Sequence, residues 1–135
     1  MERINPPTLA PPVRNLYTQV LVSPPGRTVN IAGQVAIDKN GELVGPNDYR
    51  EQARQAFLNV KLAIEAVGGT GHDITSYGVH VVRYNLEVLA PIYEAGKEVF
   101  GDEWPMCPSM LLGVEALGLP EWLIEINATA VLGDE

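Results

Sequence analysis

Few residues of this sequence could take part in a reaction, and Glu125 is the most prominent of them. It lies in a C-terminal segment where apolar residues alternate with polar ones, the pattern of a strand with one buried face. A half-buried carboxylate at such a position could orient a water molecule and accept a proton from it. The alternative is that Glu125 lies on a solvated strand face without a chemical role. Glu125 is therefore the candidate catalytic residue, with both interpretations open.

Cys107 and the two histidines provide weaker signals. Cys107 is the only cysteine, so an intrachain disulfide and a zinc site built from cysteines are both excluded. A nucleophilic thiol needs a neighbouring base, and none is identifiable, so a buried small hydrophobic residue is the favoured interpretation. His72 and His80 fall on a predicted loop and a predicted strand, and no metal site is expected from them. The common nucleotide-binding, zinc-protease and serine-hydrolase motifs do not occur.

Composition narrows the classes of partner. The 135 residues include 9 Lys and Arg against 17 Asp and Glu, a formal net charge of −8. This balance counts against nucleic acid, because phosphate binding needs positive charge. No apolar run reaches the roughly 20 residues of a membrane-spanning helix, and the N-terminus does not have the pattern of a signal peptide. We therefore expect one cytoplasmic domain that binds neither nucleic acid nor membrane.

The elements that must position these residues follow from hydrophobic periodicity. Alternation with period two predicts strands, and apolar spacing of three and four predicts helices. The predicted order is β-β-α-β-α-β-β, with a possible short extra strand at 42–44. The predicted ranges are 17–22, 28–37, 48–67, 73–84, about 89–100, 110–114 and 122–132. This order indicates a single-domain α+β fold, a mixed sheet with two helices on one face.

Two further features concern the uncovered face of the predicted sheet and the N-terminal residues. The strand at 73–84 has apolar residues of both parities, and two helices can cover only one face of the sheet, so we expect a homo-oligomer to cover the other. The four prolines within residues 1–14 preclude a helix and most sheet pairing there. Residues 1–14 are interpreted as an extended arm, or alternatively as a disordered tail, ahead of a domain at 15–132.

The sequence resembles the Rid family of reactive intermediate deaminases, also called the YjgF or endoribonuclease L-PSP superfamily. The similarity covers nearly the whole chain, and five segments in the family's order and spacing carry it. They are NLYTQ at 15–19, IAGQV at 31–35, QARQAFLN at 52–59, AVGG at 66–69 and WLIEINA at 122–128. They resemble the family's GPYSQ, SGQ, QARQ…N, AAGG and LVEIEAIA segments.

The resemblance implies a chorismate-mutase-like (YjgF) fold and a homotrimer whose sheets form a barrel-like core. It also implies ligand clefts between subunits that take a small-molecule metabolite. In deaminating members an imine or enamine of a small 2-amino acid is hydrolysed to a 2-keto acid and ammonia, without metal or cofactor. An arginine there pairs with the substrate carboxylate, and backbone N–H groups and a glutamate hold substrate and water.

Residue by residue, the resemblance carries over only in part. Tyr17 matches the cleft tyrosine, Gly33 the glycine whose backbone approaches the ligand, and Glu125 the water-orienting glutamate. Ser109 falls where the family uses a main-chain N–H, two residues after the arginine position. Cys107 falls at that arginine position, and no Lys or Arg follows residue 97. The candidate substrate-binding residues are therefore Tyr17, Gly33, Cys107 and Ser109.

The missing arginine leaves three hypotheses for function. The first is a hydrolytic deaminase of an imine or enamine that is not the standard 2-imino acid, because a buried carboxylate without its cation costs several kcal/mol. The second is a trimer that binds a small apolar or neutral metabolite without turnover. The third, an endoribonuclease, is disfavoured by the net charge of −8. Under the first hypothesis, replacing Cys107 by arginine would restore the family's usual activity.

Overall fold

The computed structural model describes residues 1–133 as one α+β domain. Strands β3, β6, β4 and β5 form a four-stranded sheet in that order, and β1 pairs with β2 in a separate two-stranded sheet. The elements are β1 (Glu2–Ile4), β2 (Val20–Val22), β3 (Gly26–Gln34), α1 (Tyr49–Ala66), β4 (Ile74–Val82), α2 (Leu89–Phe100), β5 (Ser109–Val114) and β6 (Ile124–Gly133). The predicted fold class and the predicted order are confirmed from β2 onward; β1 was not predicted.

Helix α1 begins and ends at residues that give recognisable local signals in the sequence. The Asp48 side chain caps the helix by accepting a hydrogen bond of 3.0 Å from the backbone N–H of Glu51. Gly68, at φ +86°, ends it, because this backbone conformation favours glycine. One stripe of the helix is buried: Gln52, Ala53, Ala56, Phe57, Val60 and Ile64. These local signals place the helix within one residue of its predicted bounds at each end.

Both long helices pack on the same face of the sheet and enclose the core. Strand β4 is antiparallel to β6 and parallel to β5. The Phe57 ring of α1 lies 6.3 Å from the Tyr77 ring of β4 and 5.7 Å from the Trp104 ring, centroid to centroid. Such edge and tilted aromatic contacts contribute about 0.5–1.5 kcal/mol per pair beyond the area they bury. The helix-covered face is therefore a complete apolar core within one chain.

The opposite face of the sheet, here called the open face, is more polar than predicted. Tyr77, Val79 and Val81 of β4 are buried against the helices, as their shared parity requires. The other parity places Ser76 and His80 on the open face, where Ser76 is exposed and His80 half-buried. The expectation that this strand is apolar on both sides was wrong at its centre, because Val82 lies at its end and the register shift between Ile74 and Ser76 places Ile74 on the helix-covered face.

The N-terminal strand joins two distant parts of the chain. Residues Glu2–Ile4 pair antiparallel with Val20–Val22, and the pairing avoids the prolines because it precedes all four of them. The Arg3 side chain donates from Nε to the Met106 carbonyl at 2.8 Å.

Within residues 1–133, no helix is both long and apolar enough to cross a bilayer.

Candidate functional site

Gly33 and Glu125 meet on the open face of the sheet. Between Ile31 and Gln34 the pairing of β3 with β6 shifts register, so Gly33 lies in an irregularity of the strand, as a glycine there predicts. A Cβ added to Gly33 would lie 2.7 Å from both Cδ and Oε2 of Glu125. Only glycine therefore lets the Glu125 carboxylate lie against the β3 backbone, and the two predicted residues form one unit.

The surroundings of Glu125 are set by strand register. Glu125 is half-buried and lies opposite His80 of β4, whose Nδ1 is 3.1 Å from the Glu125 carbonyl oxygen. Two positions further along β6, Asn127 is exposed on the same face. The next strand, β5, presents Met110 and Leu112 on this face, since they are register partners of Gly78 and His80. The open face thus combines a carboxylate and an amide with apolar side chains of β5.

Tyr17 and Ser109 meet elsewhere, in a cavity of about 420 Å³. Both are half-buried. The Tyr17 hydroxyl accepts the backbone N–H of Val13 at 3.3 Å. Burial, together with the nearby Tyr84 and Tyr17, raises the pKa of the Tyr93 hydroxyl in this cavity to about 12, so it is a neutral donor at physiological pH. The structure therefore brings these two predicted residues together in a pocket of ligand size.

The two pairs are not adjacent within one chain. Glu125 aligns with Leu112 across two strands, and Ser109 lies three residues before Leu112. At about 4.8 Å per strand and 3.3 Å per residue, the Glu125 and Ser109 backbones are about 14 Å apart. Ser109 has the parity of the helix-covered face, because its register partner is Tyr77, but at the start of β5 it also lines a cavity of about 280 Å³ with His80 and Asn127 of the open face. One chain alone does not unite the predicted site residues.

Cys107 does not line either arrangement. Its side chain is completely buried in the core on the helix-covered side, in the same cluster as Trp104 and Tyr77. Burial raises the pKa of its thiol to about 12, although the nearby Arg3 guanidinium opposes the shift. The prediction that Cys107 contacts a ligand is therefore not supported by its placement. The reason is geometric: Cys107 precedes β5, so strand parity does not govern where it points.

Two residues of β5 face the same side as Glu125, and sequence reasoning did not place them beside it. Met110 is 61% exposed and Leu112 is 45% exposed, both on the open face. Alternation within the predicted strand at 110–114 puts Met110 and Leu112 on one face, but only the register of β4 with β5 and β6 shows that this is the face of Glu125. His72 is exposed, and within residues 1–133 no three His, Cys, Asp or Glu side chains are grouped so that they could hold a metal ion.

The two helices on one face of a mixed sheet define a small α+β protein with the YjgF fold, and comparison with known proteins identifies its family. The model of the family described as endoribonuclease L-PSP matches residues 8–132. The chain belongs to this family, which includes the Rid and YjgF proteins.

Three relatives are similar to this chain over most of its length. The crystal structure of the Rid-family protein YyfB from Yersinia pestis is 39% identical, covers 97% of this chain and 98% of its own, and superimposes with a TM-score of 0.88. A RutC family protein of Pyrococcus horikoshii is 35% identical over 84% of this chain and 85% of its own length. The 2-iminobutanoate/2-iminopropanoate deaminase of Dermatophagoides farinae is 31% identical over 77% of this chain and 78% of its own.

Proposed function

We propose that this protein is a hydrolytic deaminase of a reactive imine or enamine. The observation that carries the proposal is the Glu125 carboxylate lying against the Gly33 backbone, at a position where an added Cβ would be 2.7 Å away. This geometry keeps a carboxylate beside a strand whose backbone a ligand can approach. The relative from Dermatophagoides farinae, which is named as a deaminase of 2-imino acids, supports the class of reaction.

The proposed reaction needs only water and one proton acceptor. Glu125 orients a water molecule and accepts its proton while the water oxygen bonds to the carbon of the C=N group. Glu125 passes this proton to the nitrogen, which gives a carbinolamine. Glu125 then takes the proton of the carbinolamine hydroxyl and delivers it to the nitrogen, so the C–N bond breaks, ammonia leaves and the oxygen becomes a carbonyl. An enamine enters the same route after protonation at carbon. Water and the imine are thereby converted to a carbonyl compound and ammonia.

The substrate we propose differs from the standard 2-imino acid. The side chains of β5 that share the face of Glu125 are the apolar Met110 and Leu112, which offer a substrate carboxylate no cation to pair with. A carboxylate that left water beside these residues would lose hydration without gaining a partner. A substrate with an apolar or neutral group next to the C=N carbon fits this face better.

We propose a homotrimer as the working assembly. The open face has no layer covering it within one chain, and the Ser109 backbone lies about 14 Å from that of Glu125 by strand spacing. An interface that brings one subunit's open face to the Tyr17 cavity of the next would unite the four residues in a single cleft. Sedimentation velocity tests the assembly, and a stable monomer at micromolar concentration contradicts it.

The test of the activity is a screen of imines produced in situ by an amino-acid oxidase. We expect the protein to accelerate release of ammonia from at least one imine with an apolar side chain. Glu125→Gln serves as the inactive comparison, and Glu121→Gln makes the same chemical change at an exposed position four residues earlier. If no imine reacts faster with the wild-type protein than with Glu125→Gln, the deaminase proposal is wrong.

The alternative we keep is a binding protein without turnover. It is favoured by the exposed Met110 and Leu112, which form an apolar surface beside Glu125. In that case Glu125 anchors the polar end of a ligand, and the screen detects binding but no release of ammonia. An endoribonuclease stays disfavoured, because a chain with a net charge of −8 offers RNA few cations.

A further inference from the structure

The cavity that contains Tyr17 and Ser109 also contains positive charge. Arg14 lines this cavity of about 420 Å³ and an adjoining one of about 140 Å³, and Lys97 lines the second. The two cavities share Arg14, Leu16, Leu89 and Tyr93, so they form one continuous groove along the N-terminal part of α2. We call this groove the Arg14 groove.

The charges around the Arg14 groove do not cancel. Its one lining carboxylate, Glu94, forms an ion pair of 3.1 Å with Arg50 of α1, which also pairs with Glu98, so these three side chains carry one net negative charge against the two positive charges of Arg14 and Lys97. Within residues 1–133, neither Arg14 nor Lys97 forms an ion pair. In a chain with a net charge of −8, the groove is thus a local region of surplus positive charge. Such a region attracts anions and favours their binding.

The backbone that carries Arg14 is held in place by its neighbours rather than forming a mobile tail. Its backbone has φ +55° and the next residue has φ +54°, a left-handed conformation that persists in non-glycine residues only where the surroundings impose it. The Val13 N–H donates to the Tyr17 hydroxyl, and the Trp104 Nε1–H donates to the Leu16 carbonyl at 3.2 Å. The segment is therefore tied to the domain on both sides of Arg14.

The rest of the groove is apolar with a few polar groups. Leu16, Leu89, Tyr93 and Leu111 supply most of its surface, and Tyr17, Gln19 and Ser109 add polar atoms. Apolar walls with a small number of convergent polar groups are typical of small-molecule sites. A ligand that fits this chemistry has an apolar body and one charged end.

We infer that the Arg14 groove binds a small organic anion. The guanidinium of Arg14 holds its carboxylate, with Lys97 nearby, and its aliphatic or aromatic part packs on the leucines and Tyr93. The face of Glu125 lacks a cation on β5, so the substrate's charge is held in this groove, away from the reacting C=N carbon. As a statement about the substrate, the inference rests on the proposed deaminase function, whereas binding itself can be measured without turnover.

The test is calorimetric titration of the full-length protein with hexanoate, with the neutral hexanamide, and with inorganic phosphate. We expect hexanoate to bind at least tenfold more tightly than either, because the amide lacks charge and phosphate lacks the apolar body. Arg14→Gln should weaken hexanoate binding about tenfold to a hundredfold, the range for losing a charge-assisted contact, and leave hexanamide unchanged. The matched control is Arg27→Gln, which removes one positive charge from an exposed site on β3 outside the groove.

Circular dichroism checks that Arg14→Gln is folded, and Arg14→Lys provides a second variant that retains the charge but loses the bidentate fork. An intermediate affinity for Arg14→Lys supports the inference. It is overturned if wild type binds hexanoate no better than hexanamide, or if Arg27→Gln weakens binding as much as Arg14→Gln. Hexanoate binding without any imine turnover would contradict the proposed function but not this inference. Imine turnover that Arg14→Gln leaves unchanged would contradict this inference but not the proposed function.

Discussion

The two faces of the four-stranded sheet are built from the same strands but differ in burial and in polarity. On the helix-covered face, Ile124, Ile126, Ala128 and Ala130 of β6 are buried in an apolar core. On the open face, the intervening Glu125 is half-buried and Asn127 is exposed. Because successive side chains of a strand point to opposite faces, one strand supplies both the stability of the domain and its candidate chemistry.

This contrast means that the effect of a substitution depends on the face it reaches rather than on its position in the chain. Cys107 and Met110 are three residues apart, yet Cys107 is completely buried on one side and Met110 is 61% exposed on the other. The same new side chain should therefore have opposite consequences at these two positions.

The largest expected effect comes from placing a charge in the core. Cys107→Arg buries a guanidinium without a counter-charge, which should lower the free energy of unfolding by at least about 3 kcal/mol. Urea denaturation measures this loss. The matched control is Leu119→Arg, at an exposed site outside the sheet, which should stay within about 0.5 kcal/mol of wild type as a surface substitution. Equal stability of the two variants would contradict the burial of Cys107 in the core.

The next effect concerns activity on the open face. Glu125→Gln removes the proton acceptor and retains the shape, so turnover of the best imine substrate should fall about a hundredfold or more. The thermal unfolding midpoint should change little, since Glu125 does not belong to the core. Steady-state kinetics and a melting curve on the same preparation separate the two quantities. Unaltered turnover would favour the binding-protein alternative.

A gain of function should be available at Met110. Met110→Arg places a guanidinium on the face of Glu125, where it can hold a substrate carboxylate, and a charge-assisted contact there should raise hydrolysis of 2-iminobutanoate about tenfold to a hundredfold. Leu119→Arg, at an exposed site outside the sheet, is the control for added charge. The absence of any gain in a folded variant would indicate that this part of the open face does not meet the substrate.

The smallest effect tests the contact between Gly33 and Glu125. In Gly33→Ala the added methyl group would displace a carboxylate that lies 2.7 Å from it, and misplacement of a catalytic group should lower turnover about tenfold. The same change in a Glu125→Gln background should have little further effect, because the displaced proton acceptor is already absent. Additive losses in this double-mutant cycle would show that Gly33 acts independently of Glu125.

Much of the fold was predictable because its signals are local. The Asp48 cap and Gly68 mark the two ends of α1, and the alternation along β6 fixes which of its residues are buried. The pairing of Glu2–Ile4 with Val20–Val22 escaped prediction, because a three-residue strand has too little periodicity to be recognised without its partner. The site residues Tyr17, Gly33, Ser109 and Glu125 remain predictions whose roles the experiments above will decide.

The sequence by itself determined the types and order of the elements, the family, and the candidate Glu125, since each depends on residue spacing along the chain. Only the tertiary structure decided which side chains share a surface. It placed Cys107 in the core because the irregular segment before β5 has no period from which its direction could be read. It set Gly33 against Glu125 and Arg14 beside Tyr17, because these contacts depend on strand register and on loops held by distant partners such as Trp104.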